Sequence, residues 1–591
     1  MNLDLKITGG TVYDGNGNGN DGVTADIGIR DGHIVEIGRC GAAHRTLDAD
    51  GAIVTPGFID LHTHYDGQIS WDQTLRPSVN FGVTTAVLGN CGVGFAPVRE
   101  ADRDRLIKLM EGVEDIPGTA LHEGINWGWE TFPEYLDRID SIPHTIDFAV
   151  MAVHDPIRVY VMGERAGHEE KATADDIEAM KTVLAEAMDA GAAGFSTGRT
   201  DVHRTADGEW TPSSEASRDE LVGLASALKG RKSGVLQAVN DFNLEREGDQ
   251  FDEEFSVLEA FARASGRPCS ISLMQRDFAP DQWRRILGET ERLNREGVDF
   301  RVQVAPRAIG VFNGLQCTFH PVLAQPSYLA IKDKPLEERV RIMRDPDFKK
   351  RCVSETPVTL SGPGSSVPPI VDRIIGEIDT IAFKLYRLGE NPDYEQSAEQ
   401  SLGAEAKREG VSIMDKLYDV CLELDGKQLI YFPIYNYTEF NYDNVHTMLT
   451  HPNALLGLSD GGAHVGTICD ASFPAYLLSH WTRDRSANRI SLPRAVQMLS
   501  ADAADYLGLD DRGRIKIGQR ADINVIDYDR LSLCAPEMVQ DLPAGGQRLL
   551  QTASGFRATL VAGTEVVQND VVTEERPGRL VRFSQGSAAD K

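Results

Sequence analysis

Eight short apolar runs recur through the middle of the chain, and helical patterns separate several of them. They occupy positions 53–59, 84–89, 146–153, 192–196, 234–239, 269–274, 300–305 and 455–459. Runs of about four to eight apolar residues suit strands buried on both faces, as in parallel sheets. Between runs, Thr173 and Asp176 form a capping-box spacing ahead of Ile177, Met180, Leu184 and Met188, which share one helical face. The stretches 252–264 and 281–295 are similar. Strand-helix alternation with eight strands predicts an α/β fold, a TIM-like (β/α)8 barrel whose site lies at the C-terminal ends of the strands. His62, Cys91, His154, Ser196 and Asp460 all fall at such ends.

The two chain ends follow a strand period instead. Positions 3–12 and 24–37 alternate, the second turning at Asp31-Gly32, and 514–527 and 556–567 alternate near the far end, turning at Gly518 and at Ala562-Gly563. Neither end has enough apolar residues for a core of its own, so 1–54 and 510–591 are expected to pair into one small β-sandwich beside a barrel spanning 55–509. Before the last barrel strand lies an excursion too long for a loop. It is expected to be an inserted helical subdomain over 307–452, with helices near 336–345, 370–388 and 412–424 and a Pro-, Gly- and Ser-rich loop at 361–369. Such an insertion either shapes the pocket as a lid or simply buries apolar surface.

Of the 591 residues, 90 are acidic and 60 are Lys or Arg, a formal charge of -30, which argues against a nucleic-acid partner. The N-terminus lacks the pattern of a signal peptide, and no run of about 18 apolar residues occurs, so a cytoplasmic protein with no membrane partner is expected. Whether it forms a homo-oligomer is left open. The eight cysteines are scattered without a Cys-x-x-Cys spacing, which fits neither a disulfide framework nor a zinc ribbon. The glycines at 15–19 precede no lysine or helix and do not make a phosphate loop.

At the end of the first run stand His62 and His64. On a strand, residues two apart face the same side, so the two imidazoles could hold one metal ion. The plain alternative is a pair of hydrogen-bonded core histidines. Cys91 sits between glycines after the second run, and Asp460 lies in Ser459-Asp460-Gly461-Gly462 after the eighth. Each has a bland reading too, a core thiol and a turn former.

With Gly89-Asn90-Cys91-Gly92 and Ser459-Asp460-Gly461-Gly462-Ala463-His464, the chain resembles the amidohydrolase superfamily over nearly its whole length. Within that superfamily it is most similar to the N-acyl-D-amino-acid deacylase branch. The resemblance implies a small-molecule enzyme, a metal-dependent hydrolase of a C–N bond that deacylates an N-acyl amino acid. A carbamate, urea or cyclic-amide substrate is the alternative, and a barrel that has lost catalysis and acts in binding or assembly is the rival of another class. The implied cofactor is one divalent ion, zinc by preference, held by His62, His64, Cys91 and Asp460, with Asp460 also the catalytic base. The implied substrate contacts are His464, His154, Arg158, His203 and Arg483. Arg158, Arg199, Arg204 and Arg483 are candidates to clamp a substrate carboxylate. The chain departs from the family pattern in having no histidine between His203 and His320, hence none on strands five or six, and no lysine on strand four. Two metals would need those groups, so one is expected.

Overall fold

The computed structural model describes residues 2–17, 22–167, 169–242, 249–362, 364–365, 367 and 369–583. Parts of the glycine stretch at 15–19 and of the loop at 361–369 lie outside the described residues. Eight strands carry the centre of the molecule: β1 (Phe58–Asp60), β2 (Val83–Leu88), β3 (Asp147–Val150, continued as Ala152–Val153), β4 (Gly194–Arg199), β5 (Val235–Asn240), β6 (Cys269–Ser272), β7 (Phe300–Val304) and β8 (Ala454–Leu456). Each pairs in parallel with the next in chain order. Beyond the ends of β1 and β8 the chain segments meet as well, through a parallel bridge of Thr63 with Gly461 and hydrogen bonds from Asp460 N to His62 O (3.1 Å) and His64 N to Gly461 O (2.8 Å). All eight apolar runs are therefore strands, with small boundary shifts. In β4 the shift matters: the strand runs on to Arg199, so Ser196 lies inside it rather than at its end.

The helix Ala174–Asp189 begins as the sequence predicts. Thr173 Oγ1 accepts from Asp176 N while the Asp176 carboxylate accepts from Thr173 N, and Met180, Leu184 and Met188 are buried. Residues of both chain ends share one apolar cluster that includes Leu5, Ile7, Ile27, Ile523, Val525 and Leu560. There Ile53–Pro56 pairs with Ile523–Ile526, so the two ends are stitched by backbone hydrogen bonds. The turn at Asp31-Gly32 has positive φ at both residues, as a tight hairpin requires. Of the stretch 514–527, however, only Ile523–Ile526 is a strand. The preceding residues serve a buried ion network, in which Arg512 and Arg520 reach Asp147 at 2.7 and 3.0 Å and Arg520 reaches Asp522 at 3.1 Å.

The insertion packs around its own cluster, among it Leu315, Tyr328, Met343, Phe348 and Leu417. It is not purely helical. Gly310–Asn313, Ile430–Pro433 and Tyr386–Arg387 form an antiparallel sheet. The expected helix at 370–388 is consequently cut short into Pro369–Gly376 and Ile378–Ile381, because Tyr386 and Arg387 pair with Tyr431 and Ile430. Among the described residues no helix is long and apolar enough to cross a membrane.

Candidate metal centre and active site

Three turns beyond strand ends build the centre. After β2, Gly89-Asn90-Cys91-Gly92 folds tightly against its neighbours: a Cβ on Gly89 would stand 2.4 Å from Met151 O, and one on Gly92 would stand 2.7 Å from Gly198 N. Both glycines also have positive φ, so no other residue fits without strain. Asn90 ties this turn to the extension of β1 by donating to Thr63 O and Val87 O. Cys91 itself adopts a left-handed conformation (φ 56°), as do Asp460 (48°) and His464 (46°). Such backbone is costly for residues other than glycine, and it clusters where function constrains the chain.

These turns bring the predicted donors together. His62 Nε2 lies 3.2 Å from Cys91 Sγ and 3.3 Å from Asp460 Oδ1, and His64 Nε2 lies 3.8 Å from the same Asp460 oxygen. One atom each from His62, His64 and Cys91 falls within 4.8 Å of the others, close enough to share one ion. His62 Nδ1 is 2.8 Å from Gln303 Oε1 on β7. That oxygen can only accept, so Nδ1 carries the proton and Nε2 keeps its lone pair for the centre. Ser459 Oγ, donating to Asp60 and to His62 O, braces the same turn.

The sequence gives no sign of Glu114, which ends the helix Arg103–Glu114. It is 1% exposed, with Oε1 3.3 Å from His64 Nδ1 and Oε2 3.5 Å from His464 Nε2. Among the described residues neither carboxylate oxygen has a hydrogen-bond partner, and neither does His64 Nδ1. Asp60, Asp66 and Glu114 are buried acids in this small region and Asp460 is a half-buried one; desolvation pushes each upward, Asp460 and Asp66 to about 7 and Asp60 to about 6. Burial likewise raises the Cys91 thiol, with Glu114, Asp460 and Asp66 adding to the effect. Burial holds the imidazoles neutral, His62 and His464 down to about 4 and His203 to about 3. Neutral imidazoles, a thiol and excess buried carboxylates suit a divalent cation, which would offset the charge cost of all of them. The residues fit the ion that the fold implies.

The chain matches the amidohydrolase family over residues 45–364 and 390–567. It belongs to the amidohydrolase family. This amidohydrolase is 26% identical to the D-aminoacylase of Alcaligenes xylosoxydans xylosoxydans, the match covering 98% of this chain and 97% of the relative. Among solved structures it is similar to the N-acyl-D-glutamate deacylase of Bordetella bronchiseptica, complexed with zinc and a phosphonate mimic of the tetrahedral intermediate (TM-score 0.62, 25% identity, 98% of this chain and 100% of that one). A solved D-aminoacylase described as having a binuclear metal centre has a similar fold (TM-score 0.63, 22% identity, 98% and 100% covered).

Of the expected substrate contacts, His464 lies at the amidohydrolase centre, 31% exposed beside Glu114. His203 lies in the loop after β4. The others are turned to structural work. Both ring nitrogens of His154 are engaged, by Thr197 Oγ1 (2.8 Å) and Glu220 Oε1 (3.0 Å), and Arg158 donates to the same Glu220 at 3.1 and 3.3 Å. Arg483 is held by Asp484 and by the carbonyls of Tyr528 and Leu531. Arg199 makes a fork to Glu254, with two bonds of 3.0 Å, while Arg204 stacks on Trp210. For Arg158 and Arg199 a buried carboxylate distant in the sequence, Glu220 or Glu254, explains the difference. β5 and β6 approach the centre with Gln237 and Ser270. Gln237 accepts from Cys91 N (2.9 Å), and Ser270 accepts from Gln303 (3.0 Å).

Proposed function

We propose that this amidohydrolase deacylates N-acyl amino acids at a single divalent ion, zinc by preference, held by His62, His64, Cys91 and Asp460 at the mouth of a (β/α)8 barrel. The convergence of His62 Nε2, Cys91 Sγ and Asp460 Oδ1 carries the reading. A non-catalytic barrel has no need of it. The described residues of the two chain ends, within 1–54 and 510–591, form the accessory β-sandwich, except that 578–583 run against the barrel, where Leu580 bridges Phe148 of β3; 307–452 forms a subdomain inserted in the barrel of 55–509.

When bound, the ion polarises the scissile carbonyl and makes water a better nucleophile near neutral pH. The chain supplies the rest. Gln303 orients His62, and the turn at Cys91 presents its sulfur from the neighbouring strand end. Asp460, 17% exposed and with a carboxyl raised to about 7 by burial, takes the proton of the attacking water and hands it to the departing nitrogen. His464, neutral and partly open to solvent, is the substrate contact beside the ion. Gln237 and Ser270 are poor ligands for a second ion. The solved D-aminoacylase with its binuclear centre marks the contrast.

The test is release of free amino acid from N-acetyl-D- and N-acetyl-L-amino acids by the zinc-loaded protein, run beside carbamates, ureas and cyclic amides. Turnover of N-acyl amino acids supports the proposal. Turnover of the other classes alone, or none with zinc, cobalt or manganese, overturns it.

A further inference from the structure

We propose that Glu114 is a positioning residue that couples the ion site to the substrate-facing His464, an inference that rests on the metal-centre reading above. Its two oxygens face two different histidines, Oε1 toward His64 Nδ1 at 3.3 Å and Oε2 toward His464 Nε2 at 3.5 Å. These are ion-pair distances short of aligned hydrogen bonds, and neither oxygen has another donor among the described residues. Beside a divalent ion Glu114 would be a carboxylate, which can only accept, so drawing in both contacts would fix the proton of His64 on Nδ1 and that of His464 on Nε2. Nε2 of His64, the nitrogen nearest Asp460, then keeps its lone pair, just as Gln303 leaves Nε2 of His62 free. The same carboxylate leaves the other nitrogen of His464, Nδ1, unclaimed by Glu114.

The backbone is built for this coupling. Glu114 is the last residue of its helix, and its carbonyl accepts the amide of His464. Asp115, in the left-handed cap position, accepts from Thr318 Oγ1 (2.9 Å) in the insertion and from Thr467 Oγ1 (3.4 Å) in the loop after β8. One helix end thus pins a ligand from β1, the loop that carries His464 and the insertion.

The test compares Glu114→Gln, His464→Ala and the double variant. The readouts are zinc affinity by chelator competition, the visible spectrum of the cobalt-loaded protein and kcat/KM. Glu114→Gln is expected to bind zinc about tenfold to a hundredfold more weakly. Its cobalt spectrum should keep the sulfur-to-metal band and the ligand-field pattern, since the donor set is unchanged. His464→Ala should leave affinity intact, and the losses in kcat/KM should be less than multiplicative in the double variant, because one residue acts through the other. Unaltered affinity in Glu114→Gln, or multiplicative losses, would overturn the proposal, and so would a cobalt spectrum showing a lost donor, which would make Glu114 a ligand. Glu114→Asp, which keeps the charge but shortens the reach, gives the same readouts should the amide variant not fold. A Cys91→Ala protein that retains its zinc refutes the ion site itself and is separable from failure at Glu114.

Discussion

His62 Nε2 stands 3.2 Å from the sulfur of Cys91, while the opposite nitrogen of the same ring is tied to Gln303 at 2.8 Å. The ring is thereby aimed at the thiol. A thiol in apolar surroundings holds its proton, and a cation beside it releases it. Cys91→Ala removes one soft donor and little volume, so zinc content after dialysis should fall well below that of the parent while the circular dichroism spectrum is unchanged. Full occupancy in the variant would show that the sulfur is a bystander.

Asp460 is the one donor of the centre with appreciable exposure, and its oxygen sits 3.3 Å from His62 Nε2 and 3.8 Å from His64 Nε2. Asp460→Asn retains an oxygen donor but cannot accept a proton. Most of the metal should remain, and kcat should drop by about 10²–10⁴-fold. A variant of near-normal rate would assign the base elsewhere.

Asp155 supplies a prediction of stability rather than rate. Burial pushes its carboxyl up from 3.8 to about 6, against the lowering pull of Ser213, His154 and Arg158. The folded value lies above the unfolded one, so this group favours folding fully below about pH 4, and the benefit disappears as pH rises through about 6. At pH 8 the buried charge is a penalty, of about 1–3 kcal/mol at 1.36 kcal/mol per pH unit. Its Oδ1 accepts from Ser213 N while Oδ2 has no partner among the described residues, so an asparagine fits the site. Asp155→Asn should therefore melt higher than the parent at pH 8 and lose that advantage near pH 4. A pH-independent difference would contradict this account.

The strands were legible because each is a contiguous apolar run, and His62, His64, Cys91 and Asp460 because each lies within four residues of the end of one. Glu114 was not legible. It closes an amphipathic helix that also carries Lys108 and Glu111, and from sequence it reads as one more solvated charge. Only the packing of His464 and its loop against that helix end buries it. His154 and Arg158 mislead for the converse reason: their partner Glu220 lies 66 and 62 residues further on, and no local pattern announces a carboxylate that reaches back to saturate them. Within the insertion, short strands such as Tyr386–Arg387 exist only through pairing with a distant segment, so a helical period was all the sequence could offer.

The most direct measurement is a zinc titration of the chelated protein, with hydrolysis of an N-acyl amino acid followed at each addition. Activity should be absent from the chelated protein, rise linearly and reach its plateau at one equivalent of zinc per chain. A plateau only at two equivalents would contradict the single-ion centre, and activity that survives complete removal of metal would contradict the metal-dependent mechanism altogether.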